Sequence, residues 1–69
     1  MNDSTERLIR LPEVILRSGL SRSQVYALMD ASAFPRGVKL TERSVAWVAS
    51  EVDAWVSARI AVRGTKAAA

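Results

Sequence analysis

Gly19-Leu20-Ser21-Arg22-Ser23-Gln24-Val25-Tyr26 sets a helix stop almost against a helix start. Gly19 supplies the left-handed backbone that closes a helix C-terminus. Ser21 with Gln24 three positions on is a capping box, in which each side chain satisfies a free backbone N–H of the other. Leu20 before the cap and Val25 at the fourth helical position are the apolar pair that staples the incoming chain. One helix ends and the next begins across a single tight turn, the spacing of a helix-turn-helix.

Reading outward, Leu11-Pro12-Glu13 opens the upstream helix. Proline pre-sets φ in the first turn, and an acid there suits the helix dipole. The spacing predicts a helix over 12–18, with Leu8-Ile9-Arg10 as a short strand before it. The downstream helix is expected over 22–31, with Val25, Leu28 and Met29 on one face and Arg22, Ser23, Tyr26, Ala27 and Asp30 largely on the other. Val14, Leu20, Val25 and Leu28 are the expected clamp of the turn. Phe34-Pro35 stops the second helix.

Beyond it, alternation predicts a hairpin. Val38 and Leu40 are expected inward and Lys39 outward, Val45 and Trp47 inward, with residues 41–44 as the loop. Ser50 followed by Asp53 predicts the cap of a third helix over 51–62, with Val52, Trp55, Val56, the stem of Arg59 and Ile60 inward and Gly64 as its end. Both tryptophans fall on inward registers and are assigned to the core rather than to base stacking. The expected architecture is α+β, mainly α: a small winged helix-turn-helix of three helices and a β-hairpin wing. It occupies residues 7–62, between a flexible arm at 1–6 and a flexible tail at 63–69.

Composition narrows the function. The chain has 69 residues, enough for one small domain, and neither histidine nor cysteine. No imidazole base, thiol nucleophile or zinc ribbon can be built. No convergent carboxylate cluster suggests a metal site, and Glu51 and Asp53 read as helix-start acids. The sequence therefore points to no enzyme, no catalytic residue, no metal and no cofactor. No apolar run approaches a membrane span, and Met1 to Glu6 lacks the pattern of a signal peptide, so a cytoplasmic protein with no membrane partner is expected.

Ten Lys and Arg against seven Asp and Glu give a net charge of +3. Residues 17–43 hold five cations (Arg17, Arg22, Arg36, Lys39, Arg43) against two acids (Asp30, Glu42), a net of +3, while residues 1–16 net −1 and residues 44–69 net +1. A cationic focus in the helix-turn-helix and wing fits a phosphate partner. A solvated surface, on an ordinary antiparallel helix pair, is the alternative. In the DNA-binding reading the helix at 22–31 enters the major groove N-terminus first. Arg22 can pair with guanine, Ser23 with a base edge or phosphate, and Tyr26 with a phosphate or sugar. Gln24 serves the capping box before any base. Arg36, Lys39 and Arg43 arm the wing, residues 37–47, for the backbone or minor groove; Glu42 opposes them.

Several segments together resemble the AlpA family of prophage and mobile-element regulators: Arg7-Leu8-Ile9-Arg10-Leu11-Pro12-Glu13-Val14, Gly19 to Tyr26, Phe34-Pro35-Arg36, Val38-Lys39-Leu40, Val45-Ala46-Trp47 and Ser50 to Trp55. The family is similar to excisionase-like and MerR-like winged helices. The resemblance implies a sequence-specific, double-stranded DNA-binding transcriptional regulator of element genes, with Arg22, Ser23, Gln24 and Tyr26 on the recognition helix and Lys39 and Arg43 on the wing. Thr41-Glu42 stands where family wings commonly carry a glycine. Two other functions stay open: an excisionase-like architectural factor that bends DNA at an attachment site, and a protein-interaction adaptor using Ile15, Leu16 and the last helix. Expected partners are double-stranded DNA, a second copy as homodimer or cooperative oligomer on DNA, and an integrase or RNA polymerase. The expected location is the bacterial nucleoid.

Overall fold

The computed structural model describes residues 6–67, with side chains through Arg63. The elements run β1 (Leu8–Ile9), α1 (Leu11–Ser18), α2 (Arg22–Asp30), β2 (Val38–Lys39), β3 (Val45–Val48) and α3 (Ala49–Ala67). Three helices beside a small antiparallel sheet make an α+β, mainly helical, winged-helix-like fold. The expected arm at 1–6 lies outside the described residues except for Glu6, as do the last two residues of the expected tail.

The local signals at the turn are met atom by atom. Gly19 has φ 78° and donates its N–H to Ile15. Ser18 Oγ accepts from the Leu20 N–H at 3.2 Å, holding the turn where a larger apolar side chain is absent. Ser21 Oγ accepts from the Gln24 N–H at 3.2 Å, and Gln24 Oε1 accepts from the Ser21 N–H at 2.9 Å, which completes the capping box. α2 ends without a glycine. Ser32 takes φ 59° while its N–H donates to Met29 and the Ala33 N–H donates to Leu28. These two bonds form a Schellman closure.

β3 is the central strand, in the order β1-β3-β2. Leu8 pairs with Val48 and Ile9 with Trp47; Val38 pairs with Ala46 and Lys39 with Val45. Directly paired residues share a sheet face. Ile9, Trp47, Val45 and Lys39 therefore occupy one face, and Leu8, Val48, Ala46 and Val38 the other. The core lies on the first face. Ile9, Val14, Val25, Phe34, Trp47, Ala49 and Val52 form one cluster, with Leu11, Leu20, Leu28, Met29, Val45 and Trp55 packed against it.

This register corrects the expected hairpin orientation. Val38 and Leu40 are exposed at 39% and 44% rather than inward. Trp47 must face the core, and a shift of one residue in a strand reverses every side chain. Lys39 consequently rises from the core face, beyond the core's edge.

The third helix also differs from expectation. It starts at Ala49, straight out of β3, and its first N–H donates to the Arg7 carbonyl at 2.8 Å. Ser50 is inside the helix, and its hydroxyl donates to Glu6 rather than capping. The helix passes Gly64 and runs to Ala67. Val52 is buried and Trp55 and Val56 are half-buried, but Arg59 and Ile60 are exposed, so the packed stripe ends sooner than its periodicity suggests. Trp55 is tied down by its Nε1–H, which donates to the Ala33 carbonyl at 2.7 Å, and by an edge contact with Phe34 at 4.9 Å.

Candidate nucleic-acid interface

The capping box fixes where α2 begins and so what its first turn presents. Arg22, Ser23 and Gln24 are all exposed there, and Val25 beside them is fully buried. Gln24 gives its Oε1 to the cap, which leaves its Nε2 as the free end of the amide. One turn on, Tyr26 is 38% exposed and its ring meets Trp47 edge to face at 6.3 Å.

That ring contact relates α2 to the wing. Tyr26 lies over the sheet face that carries Trp47, and Lys39 rises from the same face opposite Val45. Val45 is two residues from Trp47 along β3, about 7 Å at the rise of an antiparallel strand. Lys39 and Tyr26 thus lie on the same side of the sheet. Arg36 and Arg43 are exposed at the base and tip of the wing.

The tip needs no glycine. Leu40 and Thr41 both donate their N–H groups to the Ser44 carbonyl, and Thr41 Oγ1 accepts from the Arg43 N–H at 3.3 Å. Among the described residues, positive φ occurs only at Gly19 and Ser32. Gly37, at the wing's base, answers a different need. A Cβ there would stand 2.6 Å from Val45 Cγ2 and 3.4 Å from Trp47 Cε2.

Charge along the sequence does not show which arginines are paired. Arg17 belongs to the basic middle segment, yet it is spent on Glu13 at 2.9 Å and Asp53 at 3.0 Å. The Glu13 hydrogen bond and the Asp53 charge raise its pKa above the ordinary arginine value. Both ion pairs found among the described residues involve Arg17, and none involves Arg22 of α2 or Arg36, Lys39 and Arg43 of the wing. Arg10, in the segment that nets −1, is instead fixed beside the wing, its Nε donating to the Val45 carbonyl at 3.1 Å. Its signal in the sequence is only that β1 ends there. No described helix is long and apolar enough to cross a membrane.

Comparison with known proteins supplies the lineage. The family model of the prophage CP4-57 regulatory protein, AlpA, matches residues 7–60. The uncharacterized protein ORF88 of Enterobacteria phage P4 is 50% identical over 58 residues, covering 84% of this chain and 66% of that protein. The DNA-binding transcriptional activator AlpA of Escherichia coli K12 is 34% identical over 64 residues, covering 84% of this chain and 91% of that protein. No solved structure matches the chain at a significant level. A family match across nearly all the folded residues, the capping-box turn included, means that the chain belongs to the AlpA family of prophage regulatory proteins.

Proposed function

We propose that this chain is a sequence-specific double-stranded DNA-binding regulator of transcription in a prophage or related mobile element, acting in the cytoplasm on the nucleoid. α2 lies in the major groove, where Arg22 pairs with a guanine, Ser23 with a base edge or phosphate, and Gln24 reaches with its free Nε2. Tyr26 meets a sugar or phosphate. Arg36, Lys39 and Arg43 bring the wing onto the backbone or minor groove. The observation that supports this reading is that Tyr26 of α2 and Lys39 of the wing lie on the same side of the sheet, where one duplex could meet both. The activator name of the Escherichia coli relative supports the regulatory role. A domain this small with one recognition helix reads few base pairs, so binding is dimeric or cooperative along DNA.

The test is selection of genomic fragments by the purified protein at low and near-physiological salt, followed by variants on the recovered site. Arg22→Ala relaxes preference at one base position, and Lys39→Ala weakens binding to all sequences and lowers the salt slope by about one unit. Recovery only at low salt with no shared motif defeats sequence-specific recognition and favours the adaptor reading. Several phased sites on bent DNA favour the excisionase-like architectural role, in which an integrase is the partner. A single site over a promoter favours contact with RNA polymerase.

A further inference from the structure

Arg10 is anchored where a surface arginine would ordinarily be free. The reason lies in the ladder. Leu40 and Ser44 are joined by a backbone bond, so the next pair, Lys39 and Val45, is a non-bonded one in the antiparallel alternation. The Val45 carbonyl therefore turns away from β2, toward β1. β1 ends at Ile9 and α1 begins at Leu11, so no strand backbone meets that carbonyl. The Nε–H of Arg10 does, at 3.1 Å.

This bond uses one of the five N–H donors of a guanidinium. The other four sit on the terminal nitrogens of an exposed residue, and both ion pairs among the described residues lie elsewhere, at Arg17. Lys39, the partner of Val45 on β2, is exposed on the opposite side of β3 from this carbonyl. On the outer side Arg7 and Arg10 line a shallow concavity of about 320 Å³ with Pro12 and Glu13, whose carboxylate is already held by Arg17. A guanidinium with a fixed stem and a free planar fork matches a phosphate, and fixing it beforehand lowers the entropy lost on binding.

We propose that Arg10, locked by its Nε onto the Val45 carbonyl, is a phosphate-contacting residue of the DNA interface. It adds a cation at the β1 edge of β3, where α1 starts, to those of the recognition helix and wing. This rests on the DNA-binding reading above and adds a contact that the recognition helix and wing hairpin do not contain.

The test separates anchor from charge. Gln Nε2 occupies the place of Arg Nε, so Arg10→Gln keeps a donor for Val45 and deletes the charged fork. The full chain and this variant are titrated against a labelled random-sequence duplex at several salt concentrations, with thermal melting in parallel. The expected variant melts like the parent, binds about tenfold more weakly at low salt and loses about one unit of salt slope. Equal affinity and equal slope would make Arg10 a strand-end cap only and overturn the proposal. A parent chain that binds no duplex overturns the DNA-binding reading itself, a distinct result. The unmodified chain gives a second readout should the variant fold poorly. The Nε–Hε resonance of Arg10 shifts on addition of duplex; an unchanged resonance at saturation counts against the contact.

Discussion

Arg17 on α1 grips Asp53 on α3, donating from one Nη1 to both carboxylate oxygens at 3.0 and 3.1 Å while its Nε holds Glu13 at 2.9 Å. The guanidinium is a strut between the first and last helices, with its charge already answered. Arg17→Met should therefore lower the melting temperature by a few degrees, less so at high salt, where ion pairs are screened. The salt slope of DNA binding should stay as it was. A slope that falls with Arg17→Met would make this arginine a DNA contact instead.

Ser32 closes α2 in a left-handed conformation, φ 59°, that costs a side-chain-bearing residue about 1–2 kcal/mol. The two Schellman bonds, from Ser32 N–H to Met29 and from Ala33 N–H to Leu28, hold it there. Ser32→Gly removes that strain at some cost in chain entropy, so it should stabilise the domain by up to about 1 kcal/mol. Urea unfolding measures it. A loss of stability would mean that the Ser32 hydroxyl contributes more than the backbone gains.

Gly37 sits where the wing turns against β3. Its added methyl would meet Val45 Cγ2 at 2.6 Å, and a β-branched side chain has little rotamer freedom with which to move aside. Gly37→Ala should push β2 away from β3, costing about 1–3 kcal/mol in stability as an overpacking change. It should also weaken DNA binding more than its stability loss explains, because Lys39 moves with the strand. Chemical-shift changes confined to β2 and the tip would locate the displacement; unchanged shifts at Lys39 would contradict it.

Trp47 is fully buried, and its indole N–H has no hydrogen-bond partner among the described residues. Trp47→Ala should cost about 3–5 kcal/mol, enough to leave much of so small a domain unfolded by circular dichroism. Trp47→Phe should cost far less, since it keeps most of the ring and removes a donor that is costly to leave unpaired. Equal damage from both would assign a bond to the indole nitrogen.

The helix-turn-helix was legible because its determinants act within a few residues. Gly19, Ser21 and Gln24 each bond to a neighbour within four positions. The wing's orientation was not, because strand parity at Val38 and Leu40 is decided by Trp47, which the core claims from the other strand. The beginning of α3 was missed for a related reason. Ala49 is held by the carbonyl of Arg7 and Ser50 by Glu6, partners from the far end of the chain. All the candidate site residues, Arg22, Ser23, Gln24, Tyr26, Arg36, Lys39 and Arg43, are exposed, although Lys39 is so despite rising from the face opposite to the one its strand alternation suggests. A charge count along the sequence does not show that Arg17 is paired with Glu13 and Asp53, because Asp53 lies 36 positions away.

The pairing of Leu8 with Val48 joins positions 40 apart (48 − 8 = 40) through the central strand. While the chain is being synthesised, the two helices through Asp30 exist before Trp47 and Val52, the residues that share a core with Val14 and Val25. The helix-turn-helix is the first part to be made, and its core is completed only by residues of β3 and α3. A cut in the wing tip would part Val14 and Val25 from Trp47 and Val52, the core residues they pack with.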